Sequence, residues 1–399
     1  MIHASYYRPR VYPYNGDTVA AEIDRLQELT GALTLNREKV KEIGRDGTVG
    51  WLRRTPSLRL TLRQHETGNL EFFRKLTNLG DSVTSIVLND FKTSMTDIAG
   101  YKTDDDGTFL GTVVYPKLRC SSFGIQVGDP DSLVERNFEL VGEDEWTFLN
   151  NNKYFICHRG TTASAGVQTI TLNDPSPTES PDESGNDGYI IRVLRIRAGV
   201  TTELVYATDY SFAPPSTLSI NAAAVGDVYK TYYTASAYVG GSTPFTNNDS
   251  DVAALMADST SIWLQTTNYL YKVQSVGINV TFDRTDYKEV GNSTVVQRGV
   301  RNKTVNVTLG RVLEAYTIEQ VLRGVASTYG KIDPRRFTSN NTLTLQLFSD
   351  STKNLFKQEF RLTGLTPTSL DAGNTVDEYV NRGVTMECED LTISSVKSI

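Results

Sequence analysis

The sequence predicts a mainly β (α+β) protein: two tandem copies of one β domain, each with a flanking helix, and a small all-β domain inserted between them. Three observations carry this expectation. One stretch recurs 247 residues further along the chain, and apolar residues alternate with polar ones through both occurrences. The palette is rich in Tyr, Thr, Val, Asn and Ser and poor in Met, which favours strands and turns.

The recurrence is the strongest of the three. TLNREKVKEIG at 34–44 returns as TFDRTDYKEVG at 281–291, with Thr34, Arg37, Lys41, Glu42 and Gly44 matching Thr281, Arg284, Lys288, Glu289 and Gly291. The offset holds without a gap to Leu62 and Leu309, and nine of these 29 pairs are identical. Chance pairing would give roughly two, so duplication is the better account.

Period-two alternation marks strands with one buried face. Leu33 and Leu35 alternate with polar residues, as do Val276, Ile278, Val280 and Phe282; Leu58, Leu60 and Leu62 mirror Val305, Val307 and Leu309. Keeping both phases through the intervening loop is demanding, because a one-residue slip turns every side chain to the wrong face. A helical stretch follows in each copy. Asn69–Asn78 can place Leu70, Phe73 and Leu76 on one face, and Ala315–Gly324 can do so with Ile318, Val321 and Leu322. VERNFELVGEDE (134–145) then resembles VNRGVTMECEDL (380–391), with Arg136 on Arg382 and Phe138 and Leu140 on Val384 and Met386. VAAEID (19–24) loosely resembles VAALMAD (252–258). The copies are expected at 1–158 and 238–399.

Residues 159–237 have no counterpart in either copy. They contain the acidic, turn-rich PSPTESPDESGNDG, a strand at Ile190–Ile196 and short strands with tight turns thereafter. An all-β domain decorating an exposed surface is expected here, rather than a spacer integral to the copies. From Thr161 to Ala237 there are eight acids and four bases, a net of −4 out of the chain's −7.

At 399 residues the chain has room for two or three domains. The acidic balance argues against broad nucleic-acid binding. The opening MIHASYYRPRVYPYNGD lacks the apolar run that export needs, and no stretch is long and apolar enough to span a bilayer. Cys120, Cys157 and Cys388 show no metal spacing and are expected to be buried free thiols. The histidines (His3, His65, His158) are far apart, and GxSxG, a P-loop and GxGxxG are absent, so no enzyme and no cofactor are expected. Asp104, Asp105 and Asp106 before Gly107 fail the calcium-loop pattern, since Lys102 and Val113 stand where its first Asp and closing Glu belong. The pairs Glu143/Asp144 and Glu389/Asp390 could suggest glycosidase carboxylates, but their recurrence in both copies favours a structural place.

TFDRTDYKEVG…RGVRNKTVNVTL resembles the central signature of phage major tail tube proteins: a strand ending in a charged cluster and a Gly, a long hairpin, and a returning strand. The resemblance implies that each copy is a β-sandwich with a flanking helix, that six such domains close a ring, and that rings stack into the tube carrying DNA. A fused pair implies three chains per ring, as in some long-tailed phages. The inserted domain departs from the pattern and bears on the tube exterior. The implied partners are further copies of the chain, a tape measure protein and double-stranded DNA in the lumen, tail terminator and baseplate proteins, and a sheath protein if the tail contracts. The implied location is the virion tail, assembled in the bacterial cytoplasm, with no membrane partner.

Within this expectation Arg37, Lys41, Glu42 and Gly44, with Arg284, Lys288, Glu289 and Gly291, are the candidates for ring assembly. Glu139, Glu143, Asp144, Glu387, Glu389 and Asp390 are the candidates for an acidic lumen, which would repel DNA rather than hold it. Rival readings are a baseplate hub or tube-initiating ring, a glycan-binding or glycan-cleaving virion protein, and a capsid decoration protein.

Overall fold

The computed structural model describes residues 7–13, 21–40, 50–53, 55–104, 109–149, 154–173, 175–176, 189–235, 253–265, 268–270, 273–287, 297–312, 317–323, 341–373 and 381–397. The fold is mainly β, with several antiparallel sheets.

The first unit comprises β1 (Tyr7–Pro13), β2 (Ala21–Glu22), β3 (Leu26–Thr34), β4 (Arg37–Val40), β5 (Gly50–Arg53), β6 (Ser57–His65), α1 (Glu71–Thr77), β7 (Ser85–Val87), α2 (Asp90–Thr93), β8 (Thr96–Thr103), β9 (Phe109–Val127), β10 (Glu135–Gly142) and β11 (Trp146–Leu149). One sheet runs β3-β6-β10-β9. The other runs β2-β1-β8-β9-β11. β9 serves both sheets by turning at Lys117, whose φ is 51°. Leu58, Leu60 and Leu62 face inward between the sheets, while Arg59 and Arg63 face out. α1 lays Leu70, Phe73 and Leu76 into this core.

Further along the chain the second unit repeats the plan with β20 (Thr260–Leu264), β21 (Asn268–Tyr269), β22 (Val273–Tyr287), β23 (Gln297–Val312), α3 (Thr317–Arg323), β24 (Asn341–Phe348), β25 (Phe356–Gly373), β26 (Asn381–Cys388) and β27 (Asp390–Ser394). In the first hairpin Leu29 lies opposite Leu62, Thr34 opposite Ser57, Arg37 opposite Arg53 and Val40 opposite Gly50. Adding 247 to each gives Val276–Leu309, Thr281–Thr304, Arg284–Val300 and Tyr287–Gln297, all pairs of β22 with β23. Phe138 faces Leu62 and Phe123; Val384 faces Leu309 and Leu370. A bulge skips Ser121 in one unit and Thr368 in the other. β25 changes sheets at Gly364 (φ 68°), the counterpart of Lys117; there an added Cβ would also strike Glu389.

One resemblance does not survive. By pairing, β1–β2 corresponds to β20–β21, so VAAEID is not the partner of VAALMAD. Leu255 instead bonds to the backbone of Glu66 and Val134 in the first unit. That match rested on a short Ala-rich stretch without a periodic pattern.

The units share one core. β9 pairs with β22, from Val127–Val276 to Ser122–Thr281, making a continuous antiparallel sheet β3-β6-β10-β9-β22-β23-β26-β25. Across this junction Phe282 stacks on Phe91 at 5.9 Å, and Phe360 meets Phe73 edge-on at 6.3 Å. β7 also crosses, pairing with β27.

The segment between the two units, the insert, contains β12 (Tyr154–Thr161), β13 (Gly166–Thr171), β14 (Pro175–Ser176), β15 (Ile190–Arg197), β16 (Val200–Glu203), β17 (Tyr210–Ala213), β18 (Thr217–Ala223) and β19 (Val228–Ala235). β12 pairs with β19 along its whole length and spans residue 159, where the first copy was expected to give way to the insert. The insert has its own core, including Val193, Leu218, Ile220, Tyr229 and Tyr233. It also packs on the outer face of the first unit, where Tyr12, Ala99, Tyr101 and Val114 meet Phe155, Leu194 and Tyr232. Arg192 and Asp97 form a buried ion pair across this contact.

Asp227 closes the turn into β19. It accepts from Arg197 Nη2 at 2.6 Å, Arg197 Nε at 2.8 Å, the Ala224 amide at 2.8 Å and the Tyr229 hydroxyl at 3.0 Å. Arg197 chiefly, helped by the amide and hydroxyl, holds its carboxyl well below the usual carboxylate range. The folded state therefore prefers the ionised form, and this contribution is present above about pH 4 and lost as pH falls below it. Asp227→Asn should lower stability at pH 7, and its deficit against the parent should shrink at pH 3. Urea unfolding at the two pH values checks this; an equal deficit at both would contradict it.

Candidate functional site

Among the described residues, the features open to a partner are the ends of the continuous sheet and its outer face. Among the described residues, β3 pairs with β6 alone, and Thr366–Gly373 of β25 with β26 alone, so each leaves one edge open. An open edge offers unpaired N–H and C=O groups to another strand. Side chains at the end of β3 and just past it match the open state. Leu33 is 36% and Leu35 54% exposed, whereas their counterparts Val280 and Phe282 are 0% and 2% exposed.

The internal junction shows what such an edge accepts. β22 lies on β9 with Val280 opposite Phe123, both buried. Arg284, just beyond the last paired rung, donates from Nε to the Cys120 carbonyl at 2.6 Å, from Nη2 to the Phe91 carbonyl at 2.8 Å and from Nη1 to the Lys92 carbonyl at 3.1 Å. A guanidinium satisfying three carbonyls of the other unit is a strong, geometrically specific clamp. Its counterpart Arg37 is exposed. Of the other assembly candidates, Lys41, Glu42, Gly44, Lys288, Glu289 and Gly291 lie outside the described residues. The clamp function of Arg284 needed the fold to be seen, because its acceptors are backbone atoms distant in sequence.

The sheet's outer face is polar. Its middle is lined by Gln126, Asn137, Asn279, Asn306, Thr308 and Thr385 around a shallow depression with Gly124 and Gly277. Arg59 meets Glu139 at 3.2 Å and Arg63 meets Glu135 at 2.7 Å. Glu28, Asp283, Asp371 and Glu387 add further exposed carboxylates by strand alternation, so acids exceed bases among the described residues. Of the lumen candidates, Glu139 and Glu387 lie on this face. The others sit at the strand ends beyond it. Asp144 accepts from the Trp146 indole at 2.7 Å, Asp390 pairs with Lys303 at 2.9 Å, Glu389 packs on Gly364, and Glu143 follows β10.

No group of three or more metal-capable side chains occurs among the described residues. Residues 105–108 of the acidic run, and His3, lie outside them. The cysteines are free, though only Cys120 is fully buried; Cys157 and Cys388 are half-buried. Burial pushes the Cys120 thiol up to about 12 despite Arg284 nearby, and Cys157 to about 11, so both stay protonated at neutral pH. No described helix is long and apolar enough to cross a membrane.

No family model matches the chain, and no curated protein matches it in sequence. Solved structures that it is similar to belong to contractile injection systems. One is the tube-terminating cap of the anti-feeding prophage, 11% identical with a TM-score of 0.29 over 36% of this chain and 93% of that one. Another is the extended sheath–tube complex of the extracellular contractile injection system PVC, 13% identical with a TM-score of 0.28 over 38% and 100%. A third is the six-fold symmetrised anti-feeding prophage baseplate, 16% identical with a TM-score of 0.26 over 36% and 91%.

Proposed function

We propose that the chain is a structural virion protein of a phage tail, not an enzyme. Its two β units are copies of one tube domain, 1–158 and 238–399 with the insert between. Three chains close a pseudo-sixfold ring, and rings stack into the conduit for DNA ejection. One observation carries the reading: two units with the same strand register are joined edge to edge, and the outermost edges left over are the same two kinds of edge that the junction joins. A contact that can repeat head to tail builds either a closed ring or an open filament. Ring closure removes both exposed edges, as barrel closure does.

In this reading the polar outer face of the sheet lines the lumen. Its excess of carboxylates, with both arginines neutralised by glutamates, would keep phosphates from being held by counterion release. Tape measure, terminator, baseplate and sheath proteins would be partners at the lumen, ends and exterior.

Negative-stain microscopy of the purified protein, with mass measurement, should give stacked rings of three chains. The same tubes should leave duplex DNA unbound in low salt. Six chains per ring, or tight salt-sensitive DNA binding, would contradict the reading. A single ring that never stacks would favour a hub or initiator.

A further inference from the structure

We infer that β3 of one chain docks on the open edge of β25 of a second copy of this chain in one fixed register, locked by Arg37. The pairs are Thr34–Ser369, Leu33–Leu370, Ala32–Asp371, Gly31–Ala372 and Thr30–Gly373, with the Arg37 guanidinium on the Pro367 carbonyl. This rests on the ring reading and adds the register and the residue that fixes it.

The internal junction supplies the template. β22 pairs with β9 through Thr281–Ser122, Val280–Phe123, Asn279–Gly124, Ile278–Ile125 and Gly277–Gln126. The first strand of each pair corresponds to β3 at an offset of 247, because both strands hold the same register with the next strand inward, β6 or β23. The second corresponds to β25 at the same offset, through shared pairing with β10 or β26 and the shared bulge at Ser121 and Thr368. Moving each internal pair by these offsets gives the inferred rungs without any free choice.

Three independent features fit. In this register Leu33 and Leu370 fall on the core side, as Val280 and Phe123 do. Exposed Leu33 and half-buried Leu370 would then cover each other, whereas a one-residue slip would keep Leu33 in water. Pro367, which has no N–H to donate, falls just past the last rung, where Cys120 stands at the junction. And Arg37 is exposed although Arg284, in the equivalent place, spends its donors on three carbonyls, the first that of Cys120, the counterpart of Pro367.

The test is disulfide trapping on the whole chain. Ala32→Cys with Asp371→Cys, mildly oxidised after assembly, should give covalent multimers ending at the trimer on non-reducing gels. Ala32→Cys alone, and Ala32→Cys with Ala372→Cys one residue out of register, should stay largely monomeric. Arg37→Ala should leave the monomer's far-ultraviolet spectrum and melting unchanged while raising the protein concentration needed for assembly about tenfold. Arg284→Ala should instead destabilise the monomer. Rings under the microscope without the 32–371 cross-link would overturn the register while leaving the ring reading intact. Assembly of Arg37→Ala at the parent's concentration would overturn the clamp. Chains that stay monomeric at every concentration would overturn the ring reading and this inference with it.

Discussion

Arg192→Met should cost about 3–5 kcal/mol, because it leaves a buried carboxylate without its counter-charge. Asp97 is 0% and Arg192 3% exposed. Asp97 also accepts from the Lys117 amide at 2.8 Å, so it fixes the corner where β9 changes sheets. Arg192 lies 4.1 Å over the Tyr232 ring, which a Met side chain can still fill by packing but not by cation–π attraction. The loss should be local: amides of β15 and β8 should gain hydrogen exchange before those of β22 and β23. Adding Asp97→Asn to Arg192→Met should recover part of the deficit, since a neutral amide is cheaper to bury than an unpaired charge. Denaturant unfolding read alongside exchange checks both statements. A single mutant within about 0.5 kcal/mol of the parent, or a double mutant worse than the sum of the singles, would show that the pair does not hold the insert.

The hairpins were legible because their chemistry is local and periodic. Leu58, Leu60 and Leu62 alternate with Arg59, Thr61 and Arg63, and only a strand with one dry face makes that pattern useful. The gapless offset carried the register as well, since equal spacing between two alternating runs leaves little freedom in how they pair. What the alternation could not show was the docking of the insert. β8 is buried on both faces from Thr96 to Tyr101, so its period vanishes. β12 reads as the end of the first copy by position, although it folds with β19. The residues proposed for assembly were half legible. Arg37 and Arg284 stood out by recurrence, but Leu33, Leu370 and Pro367 needed strand partners to become meaningful. Carrying the 247 offset on to Phe123 and Leu370 would have exposed them, yet those positions share no identity. Four of the six acidic candidates were placed by their recurrence at strand ends, and the ends turn away from the sheet's polar face.

Removing the insert should work only if the surface beneath it is changed too. A deletion confined to 161–237 would leave most of β12 without β19, so the cut belongs at 154–235, bridged by a short Gly/Ser segment. Even then Tyr101, Ala99 and Val114, all 0% exposed, and Tyr12 at 4% would face water together. Each large apolar side chain uncovered forfeits roughly 1.5–3 kcal/mol of burial, and a contiguous patch of them promotes association. The second unit carries a polar version of the same face. By strand pairing, Thr344 stands for Ala99, Gln346 for Tyr101 and Arg361 for Val114. There Gln346 donates to Glu359 at 3.0 Å and accepts from Ser261 at 3.2 Å, so that face satisfies itself with polar groups. The plain deletion should therefore lose most of its soluble yield. The deletion carrying Ala99→Thr, Tyr101→Gln and Val114→Arg should recover it and retain assembly. Soluble yield, exclusion chromatography and microscopy of the two deletions beside the parent decide the matter. A plain deletion that is as soluble as the parent would mean the insert is no cover, and a repolarised deletion that is soluble but never assembles would mean the insert takes part in the ring.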